Sequence, residues 1–332
     1  MKKLINNVDN VVDEMLNGMI AAHPDYVQRV PGTEVLARTG NKKTDKVVLI
    51  SGGGSGHEPA HGGFVGLGML DAAVAGAVFT SPTPDQVYEA IQATECGKGA
   101  LLIIKNYTGD VMNFEMAADM AGDEDIEVAQ VIVADDVAVE NSTWTTGRRG
   151  IAGTIFVHKI AGAAAEAGKD LAEVKAVAEK VIANVRSMGM AIDACTVPAV
   201  GKPSFDLAED EVEIGIGIHG EPGTHRESIS TADQTVDTLL DKILAEGIYA
   251  AGDEVAVMVN GMGGTPLSEL YICNNRVAAV LADKGIKIAK TIVGNYMTSL
   301  DMEGFSITLL KLDDELKPLL DAPADTPAFV QF

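Results

Sequence analysis

Lys46-Val-Val-Leu-Ile50-Ser51-Gly52-Gly53-Gly54-Ser55-Gly56-His57-Glu58-Pro59 sets a short apolar run directly before four glycines, a histidine and a carboxylate. The run at 47–50 reads as a buried strand, and the glycines after it as a loop. Glycines let the backbone take positive φ and let a ligand approach the main chain closely. Consecutive amides in such a loop form a nest for oxygen-rich groups. His57 and Glu58 add titratable groups at its mouth. A plain strand-to-helix turn needs fewer glycines than this.

Outward from this stretch, the chain alternates strand and helix patterns. Val8, Val11, Val12, Met15, Leu16 and Met19 recur at helical spacing, predicting an amphipathic helix over 7–22. Strands are expected at 47–50, 72–79, 100–104 and 127–133, with helices at 84–95 and 111–121 between them. Residues 155–185 read as helix, interrupted near Gly168. The turn-rich segment Met188 to Pro203 follows. Further strands are expected at 211–218, 254–260, 286–293 and 305–311, with a helix over 233–245. Alternation of this kind predicts two α/β domains, residues 1–186 and 187–332, each with a mixed or mostly parallel sheet flanked by helices.

Composition excludes several classes. The 332 residues carry a net charge of −23, which argues against nucleic acid and anionic membrane surfaces. Cys96, Cys195 and Cys273 are odd in number and far apart, which speaks against a disulfide scaffold or a cysteine zinc site. The start MKKLINNVDN lacks the apolar core of a signal peptide, and no run approaches membrane-spanning length. The expectation is a cytoplasmic protein.

Three glycine-rich segments follow strands: 52–56, Gly215 to Gly223, and Asn260 to Pro266. In the third, Thr265 reads as a helix N-cap and Pro266 as the first helical residue. Ligands of α/β sheets sit beyond the carboxyl ends of strands. Two familiar motifs are approached and missed. His57-Glu58-Pro59-Ala60-His61 spells H-E-x-x-H, but that zinc motif needs one continuous helix, and Pro59 stands inside it. Gly53-Gly54-Ser55-Gly56-His57 lacks the last glycine of a nucleophile elbow. No Walker A loop occurs, so neither a metal nor a nucleotide cofactor is expected in this chain.

What remains is a set of titratable residues after strands: His57, Lys105, Asp110 and His219. Each also has a plainer reading. Asp110 would cap a helix starting near Val111, and Lys105 would be a solvated strand end. His23, His158 and His225 read as surface or helix residues. Arg148 and Arg149 are a rare basic pair, either contacting phosphate or a partner, or simply exposed on a loop.

These residues lie in motifs that resemble the substrate-binding subunit of the dihydroxyacetone kinase family. The matching stretches are SGGGSGHEP (51–59), FTSPTPD (79–85), LLIIKNYTGD (101–110), DDVAV (135–139), GRRG (147–150), CTVPAVGKPSF (195–205), GIHGEPG (217–223), TPLSELY (265–271) and TSLDMEGFSITLLK (298–311). They are spread along essentially the whole chain. The resemblance is to the type supplied by the sugar phosphotransferase system. It implies that His219 adds to the ketone carbon of dihydroxyacetone as a hemiaminal. It implies that His57 is the acid–base partner, and that Asp110 accepts the proton of the attacking hydroxyl. Gly54, Ser55, Gly56 and Lys105 would cradle the substrate together with these three. It also implies an ADP-binding L subunit with Mg, an M phosphocarrier acting through it, and a homodimer. The ATP-using relatives fuse a nucleotide domain, and none is expected up to Phe332. A paralogue that binds dihydroxyacetone and co-activates transcription is the competing reading.

Overall fold

The computed structural model describes residues 2–39, 45–140 and 146–332. After a short 3-10 turn, the first half runs α1 (Val11–Ala22), β1 (Val27–Arg29), β2 (Val35–Arg38), β3 (Val48–Ser55), β4 (Ala72–Val78), α2 (Pro84–Thr94), β5 (Ala100–Lys105), α3 (Thr108–Gly122) and β6 (Val128–Val133). Two helices follow, α4 (Thr154–Glu166) and α5 (Leu171–Asn184), broken at Gly168, whose φ of +87° suits glycine. The second half runs β7 (Val185–Asp193), β8 (Glu211–Ile214), β9 (His225–Ser228), α6 (Ala232–Leu244), β10 (Glu254–Gly261), α7 (Leu267–Asp283), β11 (Lys287–Gly294), β12 (Glu303–Leu312) and α8 (Leu316–Asp321). A two-stranded ribbon, β13 (Ala324–Asp325) and β14 (Val330–Gln331), ends it.

The strands form two six-stranded mixed sheets, ordered β1-β2-β4-β3-β5-β6 and β11-β10-β12-β7-β8-β9. In the first, β4, β3, β5 and β6 are parallel neighbours, and β1 and β2 add an antiparallel edge. In the second, only β10 and β11 are parallel. The molecule thus has two α/β domains with mixed sheets flanked by helices, and the second is mostly antiparallel. The division expected after residue 186 falls inside β7.

Layering follows from alternation along the strands. Leu49, Leu101 and Ile103 point to one face of the first sheet, and Val48, Ile50, Leu102 and Ile104 to the other, and all are buried. One face meets α2 and α3. The other meets α4 and α5, which also pack on Ala256, Met258, Leu310 and Leu312 of the second sheet. A helix apolar all round belongs in an interior, and α4 is buried from Thr154 to Ala165. Helices α6 and α7 cover the far face of the second sheet. The tail returns to the first half, where Asp325 pairs with Leu67 and accepts a hydrogen bond from Tyr26.

Two local expectations change. Gly52, Gly53 and Gly54 are not a loop but lie within strand β3, and all three are buried. They are glycine because neighbours come too close for a side chain. A Cβ on Gly54 would lie 2.5 Å from the Thr80 amide, and one on Gly53 would lie 2.4 Å from Lys105 Nζ. Thr265 is not an N-cap. Its hydroxyl bonds to both backbone groups of Gly304, and α7 starts after Pro266.

Candidate active site

The main chain leaves β3 at Gly56 and passes through bends and turns, not a helix, over residues 56–61. The H-E-x-x-H string therefore never places its histidines on one helical face. Among the described residues, no group of three or more His, Cys, Asp or Glu side chains is arranged to hold a metal. The segment is instead tied to residues from the second half. Thr298 and Leu300 donate backbone N–H bonds to the carbonyls of His57 and Gly56. Thr298 also donates its hydroxyl to the Glu58 carbonyl at 2.9 Å.

His57 is fully buried, and its Nδ1 donates to the Thr298 carbonyl at 2.8 Å. A neutral imidazole carries one proton, so Nε2 is left as an acceptor, and it has no hydrogen-bond partner among the described residues. Burial, then the charges of His219 and Lys105, push His57 well below the usual histidine range. The ring stacks on Phe79, with centroids 5.2 Å apart.

His219 lies in the turn after β8, and its ring centroid is 4.7 Å from that of His57. Phe79 and Tyr107 pack edge-on against it at 5.2 and 4.5 Å. Glu221 fixes it twice. One carboxylate oxygen accepts from the His219 backbone N–H at 2.9 Å, and the other from Nδ1 at 3.0 Å. Burial alone would raise the Glu221 carboxyl, but the His219 bond and charge and the nearby Arg149 bring it down to about 2. With Nδ1–H given to a carboxylate, Nε2 of His219 keeps its lone pair, which is the form a nucleophile needs.

The His219 turn is anchored by Arg149. Its guanidinium pairs with buried Asp136 and donates to the Gly215 carbonyl at 2.7 Å. Arg149 is fully buried, and Arg148 makes a bidentate pair with Glu246. Both arginines therefore have structural partners, which corrects the expectation of an exposed loop pair.

Asp110 also differs from the simplest reading. Helix α3 begins at Thr108, so Asp110 sits inside its first turn and is not its cap. The residue is buried, accepts a bond from the Ser81 hydroxyl, and lies 3.8 Å from Lys105 Nζ. Lys105, whose plainer reading was a solvated strand end, is instead fully buried at the end of β5. Its burial lowers its pKa, partly offset by Asp110.

Gly54, Phe79, Ser81, Tyr107, Thr108, Gly109, Asp110, His219 and Glu221 line an open cavity of about 310 Å³. Its size suits a small polar ligand. Of the sequence-derived residues, Gly54, Asp110 and His219 line it, with His57 beside His219. Gly56 is packed under Phe79 and Leu300. Ser55 spends its hydroxyl on the Gly76 carbonyl at 2.7 Å. The third glycine-rich segment is away from this wall, where Asn260 holds the backbone of residues 296 and 297. Sequence reasoning missed Glu221, Phe79, Ser81 and Tyr107. All four lie within stretches quoted above, and Glu221 is two residues from His219.

Residues 17–328 match the Dak1 domain. The chain is 58% identical over 330 residues to the PTS-dependent dihydroxyacetone kinase 1, dihydroxyacetone-binding subunit DhaK, of Listeria innocua serovar 6a, covering 99% of this chain and all of that one. A solved dihydroxyacetone kinase of C. freundii superposes with a TM-score of 0.90 at 37% identity, covering 99% of this chain and 60% of that longer one. The dihydroxyacetone kinase operon co-activator Dha-DhaQ superposes with a TM-score of 0.90 at 38% identity, covering 96% of this chain and 98% of that one. The chain belongs to the Dak1 family, among the dihydroxyacetone-binding K subunits of the PTS-dependent dihydroxyacetone kinases.

Proposed function

We propose that this chain holds dihydroxyacetone on His219 and presents its hydroxyl for phosphorylation. The observation that carries the reading is the His219–Glu221 pair beside the unpartnered Nε2 of His57. Nε2 of His219 adds to the ketone carbon, forming a C–N bond and opening the C=O π bond. The oxygen gains a proton and the ring gives up its Nδ1 proton, so the balance needs no co-reactant. Nε2 of His57 accepts a hydrogen bond from the new hydroxyl and assists the proton transfer. Glycerol has no carbonyl and is refused by chemistry, where size alone would discriminate poorly.

Asp110 accepts the proton of the attacking terminal hydroxyl, a role typically contributing about 10²–10⁴-fold. The tether fixes that hydroxyl for in-line attack, and positioning is most of phosphoryl-transfer catalysis. The phosphoryl donor sits on an ADP-binding L subunit with its Mg, recharged by an M phosphocarrier, and the product is dihydroxyacetone phosphate. Support comes from the relative in Listeria innocua, named for a PTS-dependent kinase. No described helix is long and apolar enough to cross a membrane, which accords with action on a small metabolite in the cytoplasm. A homodimer is proposed on family grounds.

The co-activator reading has one observation in its favour, the superposition on Dha-DhaQ. Both readings use the His219 tether, and only the first needs Asp110. The test is dihydroxyacetone phosphate formation with the ADP-loaded L subunit and its phosphocarrier. The kinase reading expects product from wild type and a loss with Asp110→Asn. No product from wild type, with dihydroxyacetone still bound, overturns it in favour of the co-activator.

A further inference from the structure

Behind the cavity, the buried ammonium of Lys105 meets a pair of histidines that the proposed reaction does not use. Nζ is 3.3 Å from the Gly52 carbonyl, 3.2 Å from His61 Nε2 and 3.8 Å from Asp110 Oδ2. His61 Nδ1 is 2.9 Å from His158 Nε2. His61 is 6% exposed, and His158 and Lys105 are fully buried.

The proton positions follow from donor counting. An ammonium only donates, so His61 Nε2 must accept. A neutral His61 then carries its proton on Nδ1 and gives it to His158 Nε2. His158 in turn carries its proton on Nδ1, which is buried and has no partner among the described residues. Ser51 lies 3.4 Å from His61 Nδ1, but its hydroxyl proton goes to the Ile103 carbonyl at 2.7 Å. A buried donor without a partner is costly. An apolar side chain on α4 would fill the same space without that cost, so packing does not account for His158.

We propose that His61 is a positioning residue for Lys105, set in the required tautomer by His158. Two of the three ammonium protons are committed, to Gly52 and His61. The third is left facing Asp110 Oδ2, while Asp110 Oδ1 is taken by Ser81. The chain therefore fixes the charge and the direction of the group beside the carboxylate. The inference deepens the proposed function and rests on its assignment of Asp110 as the base.

Nitrogen NMR of the histidine rings of the wild-type full-length chain, assigned by His61→Gln and His158→Asn, is the first test. Nε2 of His61 bare and Nδ1 of His61 and of His158 protonated is the expected pattern. A protonated Nε2 on His61 overturns the proposal, whatever the variants do.

Turnover with the ADP-loaded L subunit is the second. His61→Leu should keep the His219 adduct but lose about tenfold to 10²-fold in turnover, as expected for a misplaced group. Lys105 is faced by Asp110 from α3, by His57 and His61 from the segment after β3, and by His158 from α4. Removing the acceptor disfavours the ammonium, so the alkaline limb of the pH–rate profile should move to lower pH in His61→Leu. In His61→Gln, which keeps an acceptor, it should move back. A Leu variant with wild-type turnover and profile overturns the role. Absence of any dihydroxyacetone adduct in wild type is a different failure, since it removes the substrate reading and leaves the ring spectra to decide the His61–Lys105 contact.

Discussion

Glu221→Gln probes how His219 is kept nucleophilic. The wild-type carboxylate offers two acceptors to two donors, the His219 backbone N–H and Nδ1–H. An amide offers one acceptor, and its NH₂ must face one of those donors. If Nδ1 is the one left out, the ring proton shifts to Nε2 and the attacking lone pair is lost. A hydrogen bond to a charged group contributes about 1.5–3 kcal/mol, which corresponds to roughly a ten- to 150-fold change in equilibrium constant. The concentration of dihydroxyacetone that half-saturates reductively trapped adduct, read by intact mass, should rise by that factor. Urea unfolding of the same variant separates this from gross loss of structure. A folded Glu221→Gln chain with an unchanged half-saturation point would refute the argument that the carboxylate selects the tautomer.

Other outcomes follow from the same geometry. His57, His61 and His158 are all held below the usual histidine range, mainly by burial, His158 down to about 3. Near pH 6.5 and below, the unfolded chain takes up protons that the folded chain refuses, so stability falls as pH drops through that region. With three sites the slope should approach about 4 kcal/mol per pH unit, and urea titrations at pH 7, 6 and 5 read it directly. Glu221, depressed from 4.5 to about 2, adds a further loss between those two values. Gly54→Ala puts a Cβ 2.5 Å from the Thr80 amide and 2.7 Å from the Phe79 backbone. It should displace the ring stacked on His57 and abolish adduct formation in the mass spectrum. Arg149→Met strands the buried Asp136 carboxylate and should destabilise by about 3–5 kcal/mol, seen as a lower urea midpoint.

Much of the fold was legible because its strands are unusually apolar. β3 and β5 are buried on both faces, so their continuous runs stand out in the sequence. The glycine cluster misled in one respect. Glycine normally ends a strand, but here β3 carries three of them past Val74, Thr80 and Lys105, whose closeness is a tertiary fact. Strand direction in the second sheet was equally hidden, because alternation of strands and helices does not say that β12 runs against β7 and β10. The short strands β1, β2 and β9 carry too few residues to show a period. At the site, His57, Asp110 and His219 stood out as titratable groups after strands. Their supports did not. His61 and His158 are 97 residues apart, and His158 read as a surface or helix residue until the fold buried it. Arg149 looked like half of a surface pair until the fold buried it against Asp136.

The central claim is that His219 forms a covalent bond to dihydroxyacetone. Intact mass spectra after mild reductive trapping, for wild type and His219→Ala, test it most directly. The account predicts one added dihydroxyacetone unit on wild type and none on the variant. An adduct that persists in His219→Ala, or no adduct on wild type under conditions where calorimetry detects binding, would contradict it.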